Sequence, residues 1–235
     1  MVLSGTVVLG NEAGAALTCT QLATVTERSG RPTEAEHWCK RALELDERIH
    51  PGSPSHARDL NTLARLLLNE VQAGHAPMGR LAEARDYAER ALAIREIFDA
   101  SSEVWVTLNI LADIADKEGR VEVARNYRCR ERETFAAFEG NRYYIDRQFG
   151  SLIADVVATI NGDIQARGRV EGMLPQLEAD GWHITAAIHQ IWAGERGWHH
   201  LTEDMDPQNA LVILRVLETL ASSARSQTVR EQDKT

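Results

Sequence analysis

The sequence is poor in the residues that build disulfide-linked, membrane-spanning and β-sheet proteins. Aromatic residues make up only 6% of the chain, while Ala, Leu, Glu and Arg recur throughout, a composition typical of helices. The cysteines Cys19, Cys39 and Cys129 are widely spaced and odd in number, which indicates neither a disulfide framework nor a zinc site. No stretch approaches about 18 uninterrupted apolar residues, and the N-terminal segment lacks the basic start of a secretion signal. We therefore expect an all-α protein in the cytoplasm, without a membrane partner.

An excess of positive charge is also absent. The chain has 26 Lys and Arg against 35 Asp and Glu, a formal net charge of -9. Because phosphate backbones are bound by concentrated positive surface, we expect no direct contact with nucleic acid. Arginines cluster between residues 120 and 132, but glutamates are interleaved with them at helical pairing distances, which favours a solvated, self-compensated face.

Catalytic motifs are missing as well. The sequence has no P-loop, dinucleotide-binding, nucleophile-elbow, zincin or caspase motif. The best metal candidate is the group Glu195, His199, His200 and Glu203, in which residues four apart share one face if the segment is helical. We favour surface or interface histidines as the alternative, because nearby glycines shorten any helix there. We expect no enzymatic activity, no cofactor and no metal site.

What the sequence does contain is internal self-similarity. Segments 22–35 and 111–124 share a Leu-Ala pair, a Gly eight residues after the Leu and an Ala five residues later. Segment 63–84 repeats the pattern with eight extra residues before its Gly, which we place in an enlarged loop around 74–78. An apolar helix, a glycine turn and a second helix with small alanines describe an αα-hairpin. We predict a solenoid of about three hairpins, with approximate bounds 12–50, 54–99 and 101–139.

The spacing resembles the tetratricopeptide pattern, in which W-x-x-L-G-x-x-Y is followed by Gly and then by A-x-x-x-F. Smaller residues occupy the pattern's positions: Cys19, Leu60 and Leu108 stand at Trp, and Ala23, Ala64 and Ala112 stand at Gly. The period of about 40 residues exceeds the ~34 of the standard repeat. With the linker 50–55 this looks like the kinesin-light-chain subclass, which is common in bacterial signalling proteins. The resemblance implies a scaffold that binds other proteins.

The pattern weakens toward the C-terminus. In the third hairpin, Arg128 and Glu131 stand at positions expected to be apolar or small, so its second helix is expected to be exposed or to pack on another chain. We predict that the repeats cover 12–140, that a C-terminal helical cap covers 141–222 and that 223–235 form a disordered tail. The segment 191–196 resembles a helical block appended to bacterial repeat proteins.

The first helices of stacked hairpins should line a concave groove that binds a partner. Asparagine is unfavourable inside helices, and contact with a peptide backbone would offset that cost, although exposure to solvent is the alternative. Arg58 and Arg65 lie seven residues apart on one face and suggest an acidic partner. The residues expected in the groove are Gln21, Thr24, Arg58, Asn61, Thr62, Arg65, Asn69, Asn109 and Asp113.

Three tryptophans in the cap, Trp182, Trp192 and Trp198, are either core residues, which we favour, or interface anchors. The leading hypothesis is an adaptor that binds a partner peptide or protein in the groove. The alternative is a regulatory or sensor subunit of a bacterial signalling or defence complex whose protease or NTPase lies on another chain. A metal-dependent or nucleophilic enzyme is the least favoured hypothesis.

Overall fold

The computed structural model describes residues 3–98 and 103–232, and the side chains of residues 12–98 and 103–225. Helices and the turns between them account for all regular structure in these ranges, which confirms the all-α prediction. None of the helices searched is long and apolar enough to cross a membrane. The helices are α1 (Leu3–Arg28), α2 (Pro32–Ile49), α3 (Pro54–Gln72), α4 (Arg80–Arg95), α5 (Val104–Lys117), α6 (Val121–Ala137), α7 (Glu139–Ile160), α8 (Ile164–Ala179), α9 (Thr185–Trp192), α10 (Trp198–Leu201) and α11 (Pro207–Gln232).

The chain divides into two compact units, here called unit 1 and unit 2, with the division between Glu131 and Arg132. In unit 1 neighbouring helices pack in pairs, α1 with α2 and α3 with α4, while α2 also contacts α3 and α4 contacts α5. The turn glycines Gly30 and Gly119 have φ of 69° and 74°, the left-handed region that glycine adopts without strain. The α3–α4 connection is long, as the extra residues around 74–78 predict.

The core of unit 1 consists of the leucines and alanines of the repeated pattern. Leu60, Leu63 and Ala64 of α3 are fully buried, as are Ala84, Ala88 and Ala91 of α4. Alanine at these contact positions lets the paired helices approach closely. The helix pairs are also linked by ion pairs: Arg80 Nη2 of α4 lies 2.7 Å from Glu36 Oε1 of α2.

The first part of α6 is held in unit 1 despite its polar sequence. Tyr127 packs against the unit 1 core, and Arg128 Nη2 donates to Asp113 Oδ1 of α5 at 3.0 Å and to Asp116 Oδ2 at 2.6 Å. The arginine that departs from the apolar pattern is therefore paired within the chain. The division between units falls inside α6, before the boundary at 140 expected from the sequence.

Unit 2 has its own core, to which α7, α8, α9, α10 and α11 contribute. Asp163 accepts from the backbone N–H groups of Gln165 and Ala166 and so caps α8. Asp206 caps α11 in the same way, and Pro207 follows at the first helical position. Helix α11 packs on α7 along an apolar run that includes Leu211, Val212 and Ile213, all fully buried.

The last helix continues past the point where the sequence suggests a disordered tail, 223–235. Helix α11 extends to Gln232, and residues 233–235 lie outside the described residues. The hydroxyls of Ser222 and Ser223 donate to the carbonyls of Glu218 and Thr219 one turn earlier. These serines are compatible with a helix because their hydroxyls donate to backbone carbonyls of the same helix. Residues 99–102, at the expected boundary of the second and third hairpins, also lie outside the described residues.

Candidate functional site

One face of α3 carries the polar residues expected in the groove. Arg58, Asn61, Thr62 and Arg65 follow one another at helical spacing and line a single pocket of about 240 Å³ in unit 1. The remaining lining residues come from α1, α3, α4, α5 and the turn before α5: Glu27, Leu66, Arg95, Glu103, Val106 and Ile110. The structure therefore brings together four of the nine residues expected in the groove.

Three guanidinium groups line this pocket. The side chain of Arg58 is about half exposed, and its Nε lies 3.9 Å from Asp59 Oδ1. Arg65 Nη2 donates to Asn109 Oδ1 at 3.2 Å. Arg95 is buried, with Nη1 3.8 Å from Glu103 Oε2. Among the described residues the lining carboxylates are those of Glu27 and Glu103, so three cationic side chains line the pocket beside two anionic ones in an otherwise acidic chain.

Arg95 is the cationic lining residue that sequence reasoning missed. Burial lowers the pKa of its guanidinium below the ordinary value, and the charge of Arg58 acts in the same direction. Glu103, whose carboxylate lies beside the Arg95 guanidinium, acts in the opposite direction. A signal was present in the sequence, because Arg95 continues the buried series Ala84, Ala88 and Ala91 at helical spacing.

The asparagines expected to contact a peptide form hydrogen bonds within the chain. Asn61 is 5% exposed, and its Nδ2 donates to Thr107 Oγ1 of α5 at 2.8 Å. Asn69 Nδ2 donates to Glu27 Oε1 of α1 at 3.1 Å. Asn109 accepts from Arg65, as described above. Each bond joins one first helix to the next, so these asparagines link stacked hairpins, and their placement inside helices has an explanation that requires no partner.

The other predicted groove residues lie outside the pocket. Gln21 and Thr24 are exposed on α1, where the Thr24 hydroxyl donates to the Thr20 carbonyl of its own helix. Asp113 accepts from Arg128. A partner-binding role for these three residues stays a prediction.

The tryptophans of unit 2 are packed against its core. Trp182 makes an edge contact with Phe149 at a centroid distance of 4.4 Å. Trp192 Nε1 donates to the Val156 carbonyl at 3.3 Å, and Trp198 Nε1 donates to the Ala210 carbonyl at 2.9 Å. These contacts favour core residues over interface anchors, because the indole N–H groups of Trp192 and Trp198 already donate to carbonyls of this chain.

The metal candidate does not assemble. Helix α10 begins at Trp198, so Glu195 is outside it and the four-residue spacing from Glu195 to His199 does not place both on one helix face. Instead Glu195 Oε1 accepts from the backbone N–H groups of Gly197 and Arg196, which lowers the pKa of its carboxyl. In the part of the chain that the structure describes, Glu195, His199, His200 and Glu203 do not gather into a cluster of metal-binding size.

No known family and no curated protein matches this chain in a sequence comparison. The helix-pair packing of unit 1 is compatible with a helical-repeat protein.

Proposed function

We propose that the protein is a non-catalytic adaptor that binds a partner protein or peptide at the pocket lined by α3. The observation that carries this proposal is the convergence of Arg58, Arg65 and Arg95 around one concavity of an acidic chain. The resemblance of the repeated spacing to kinesin-light-chain-type tetratricopeptide repeats supports the same function. A cytoplasmic location belongs to this proposal.

An acidic side chain or a terminal carboxylate of the partner fits this pocket best. Guanidinium groups form paired, charge-assisted hydrogen bonds with carboxylates, and such bonds are stronger than those between neutral groups. The half-exposed Arg58 can turn toward a ligand without breaking a close ion pair, because within the described residues its nearest carboxylate oxygen is 3.9 Å away. The hydroxyl of Thr62 donates to the Arg58 carbonyl, and its oxygen can still accept from a peptide N–H.

The proposal is tested by affinity capture from the native source followed by mass spectrometry. The double variant R58A/R65A should lose the specific partner that the wild-type protein retains. The matched control R31A/R41A removes the same charge from α2 and the turn before it, where each arginine pairs with a glutamate three residues later. A partner captured equally by all three proteins would contradict the assignment of this pocket.

A second function, a regulatory subunit within a larger complex, is favoured by an uncovered apolar face on α1. Leu17 and Val25 are 50% and 55% exposed, and Leu22 is 36% exposed. Exposed apolar side chains grouped on one helix suggest contact with another protein. Co-purification of a protease or an NTPase in fixed stoichiometry, lost in L17E/V25E but retained in R58A/R65A, would support this alternative.

A further inference from the structure

A pocket in unit 2 lies between the end of α7, the turn from α9 to α10 and the second half of α11. Its volume is about 450 Å³, within the range of small-molecule sites. The described residues that line it all belong to unit 2, so it is distinct from the proposed partner pocket of unit 1.

Most of the lining is aliphatic. Leu217, Leu220, Ala221 and Ala224 recur at helical spacing on one face of α11, and Ile160 at the end of α7 adds to the apolar wall. Leu217, Leu220 and Ile160 are half-buried because they also pack against the core of unit 2, whereas the two alanines are exposed. An aliphatic surface therefore stays in contact with water inside a concavity, and an apolar ligand would cover it favourably.

Arg196 is the charged residue among the described lining residues. Its Nη1 donates to the carbonyls of Ile191 at 2.6 Å and Glu195 at 2.7 Å, which hold the guanidinium at the end of α9 without neutralising its charge. The carboxylate of Glu195 accepts instead from the backbone N–H groups of Arg196 and Gly197. Arg196 forms no ion pair in the described part of the chain, so the edge made by Nε and Nη2 keeps its donors for a ligand.

We propose that this pocket binds a free medium-chain aliphatic carboxylate. The alkyl chain packs on Ile160, Leu217 and Leu220, and the carboxylate accepts two parallel hydrogen bonds from Nε and Nη2 of Arg196. The described lining combines an aliphatic wall with one cation and contains no carboxylate. Such a lining complements a ligand that is aliphatic at one end and anionic at the other.

The polar lining favours a free carboxylate over the C-terminus of an apolar peptide. Besides Arg196, the polar residues of the described lining are Asn161 and Ser223, and the Ser223 hydroxyl already donates to the Thr219 carbonyl. Each peptide residue would bring an N–H and a C=O that need partners, and amide groups left unpaired in an apolar site cost free energy. An alkyl chain brings no such groups.

The test is an NMR titration of the ¹⁵N-labelled full chain with sodium hexanoate at pH 7.5 and constant ionic strength. Neutral hexanamide, which has the same chain length, is the control ligand. Hexanoate should shift the backbone signals of Arg196, Leu220 and Ala221 saturably, and hexanamide should bind about tenfold more weakly. Replacing butanoate by hexanoate, and hexanoate by octanoate below its micelle concentration, should tighten binding about tenfold at each step, because two more methylene groups leave water.

Two variants separate the head of the ligand from its chain. Arg196→Gln should weaken hexanoate binding about tenfold and leave hexanamide binding unchanged, which a merely structural role for Arg196 would not do. Ala221→Leu, which fills the pocket without changing its charge, should weaken the binding of both ligands about tenfold or more. The matched variants Arg147→Gln on α7 and Ala179→Leu on α8, both exposed and outside the described lining, should bind hexanoate as the wild-type protein does.

Equal affinity for hexanoate and hexanamide, affinity independent of chain length, or unchanged hexanoate binding in both Arg196→Gln and Ala221→Leu would overturn the proposal. Tighter binding of the acetylated dipeptide Leu-Leu, with its C-terminal carboxylate free, than of octanoate would also overturn it, in favour of a peptide C-terminus.

Discussion

Replacing Asp59 by Asn is expected to stabilise unit 1 at neutral pH. Asp59 lies on α3 and is 2% exposed, with the Thr20 hydroxyl donating to its Oδ1 at 3.2 Å. Burial raises the pKa of its carboxyl from 3.8 to about 6, and the negative charge of the buried Asp46 on α2 acts in the same direction. Asparagine keeps the shape and the acceptor for Thr20, and it removes the charge that the site disfavours.

The size of the effect follows from the difference between the two pKa values. Because the folded-state pKa lies above the ordinary value, the wild-type chain has its full stability below pH 3.8 and loses stability as the pH rises toward about 6 and beyond. The interval corresponds to about 3 kcal/mol of unfolding free energy once the group is ionised. The gain from Asp59→Asn should therefore be small near pH 4 and reach up to about 3 kcal/mol above pH 7.

Urea unfolding followed by circular dichroism at pH 4.5, 5.5 and 7.5 measures this difference, with a separate transition allowed for each unit. Asp86→Asn is the matched control, since Asp86 is exposed on α4 and its nearest arginine nitrogen is 4.0 Å away. That variant should change stability by less than about 0.5 kcal/mol at every pH. Destabilisation by Asp59→Asn at pH 7.5, or a difference independent of pH, would refute the reasoning.

Two further predictions concern the core of unit 1. Leu63→Ala, at a side chain with 0% exposure, should lower the unfolding free energy by about 2–5 kcal/mol. Val25→Ala, on the exposed face of α1, should lower it by less than about 0.5 kcal/mol. Equal shifts of the urea midpoint in the two variants would contradict this packing. Burial raises the pKa of the Cys39 thiol to about 12, so iodoacetamide at pH 8 should leave it intact while the partly exposed Cys129 reacts. Peptide mass spectrometry of the native protein measures the alkylation of each cysteine. Alkylation of Cys39 ahead of Cys129 would contradict the prediction.

The hairpins of unit 1 could be predicted because their signals are local. Gly30 and Gly119 stand where the turn requires a positive φ, and the leucines and alanines on either side repeat at helical spacing. The same locality made Arg58, Asn61, Thr62 and Arg65 recognisable as one face of one helix. Helices and tight turns are built from contacts between residues that are close in the sequence. Such contacts produce a periodic pattern of apolar residues, so composition and spacing are enough to identify these elements.

Contacts between distant helices could not be predicted in this way. The bond from Asn61 to Thr107 joins residues 46 positions apart, and it depends on how α3 stacks on α5. Arg128 looks like a break in the repeated pattern, and its pairing with Asp113 and Asp116 joins residues 15 and 12 positions apart on different helices.

Photocross-linking tests the binding site most directly. A benzoylphenylalanine placed at Thr62, which lines the pocket of unit 1, should form a covalent adduct with the captured partner. The same group at His37, an exposed residue of α2, should form none. Adducts that require position 62 and disappear in the R58A/R65A background would agree with binding at this pocket. Adducts from position 37 alone would place the partner elsewhere and contradict the account.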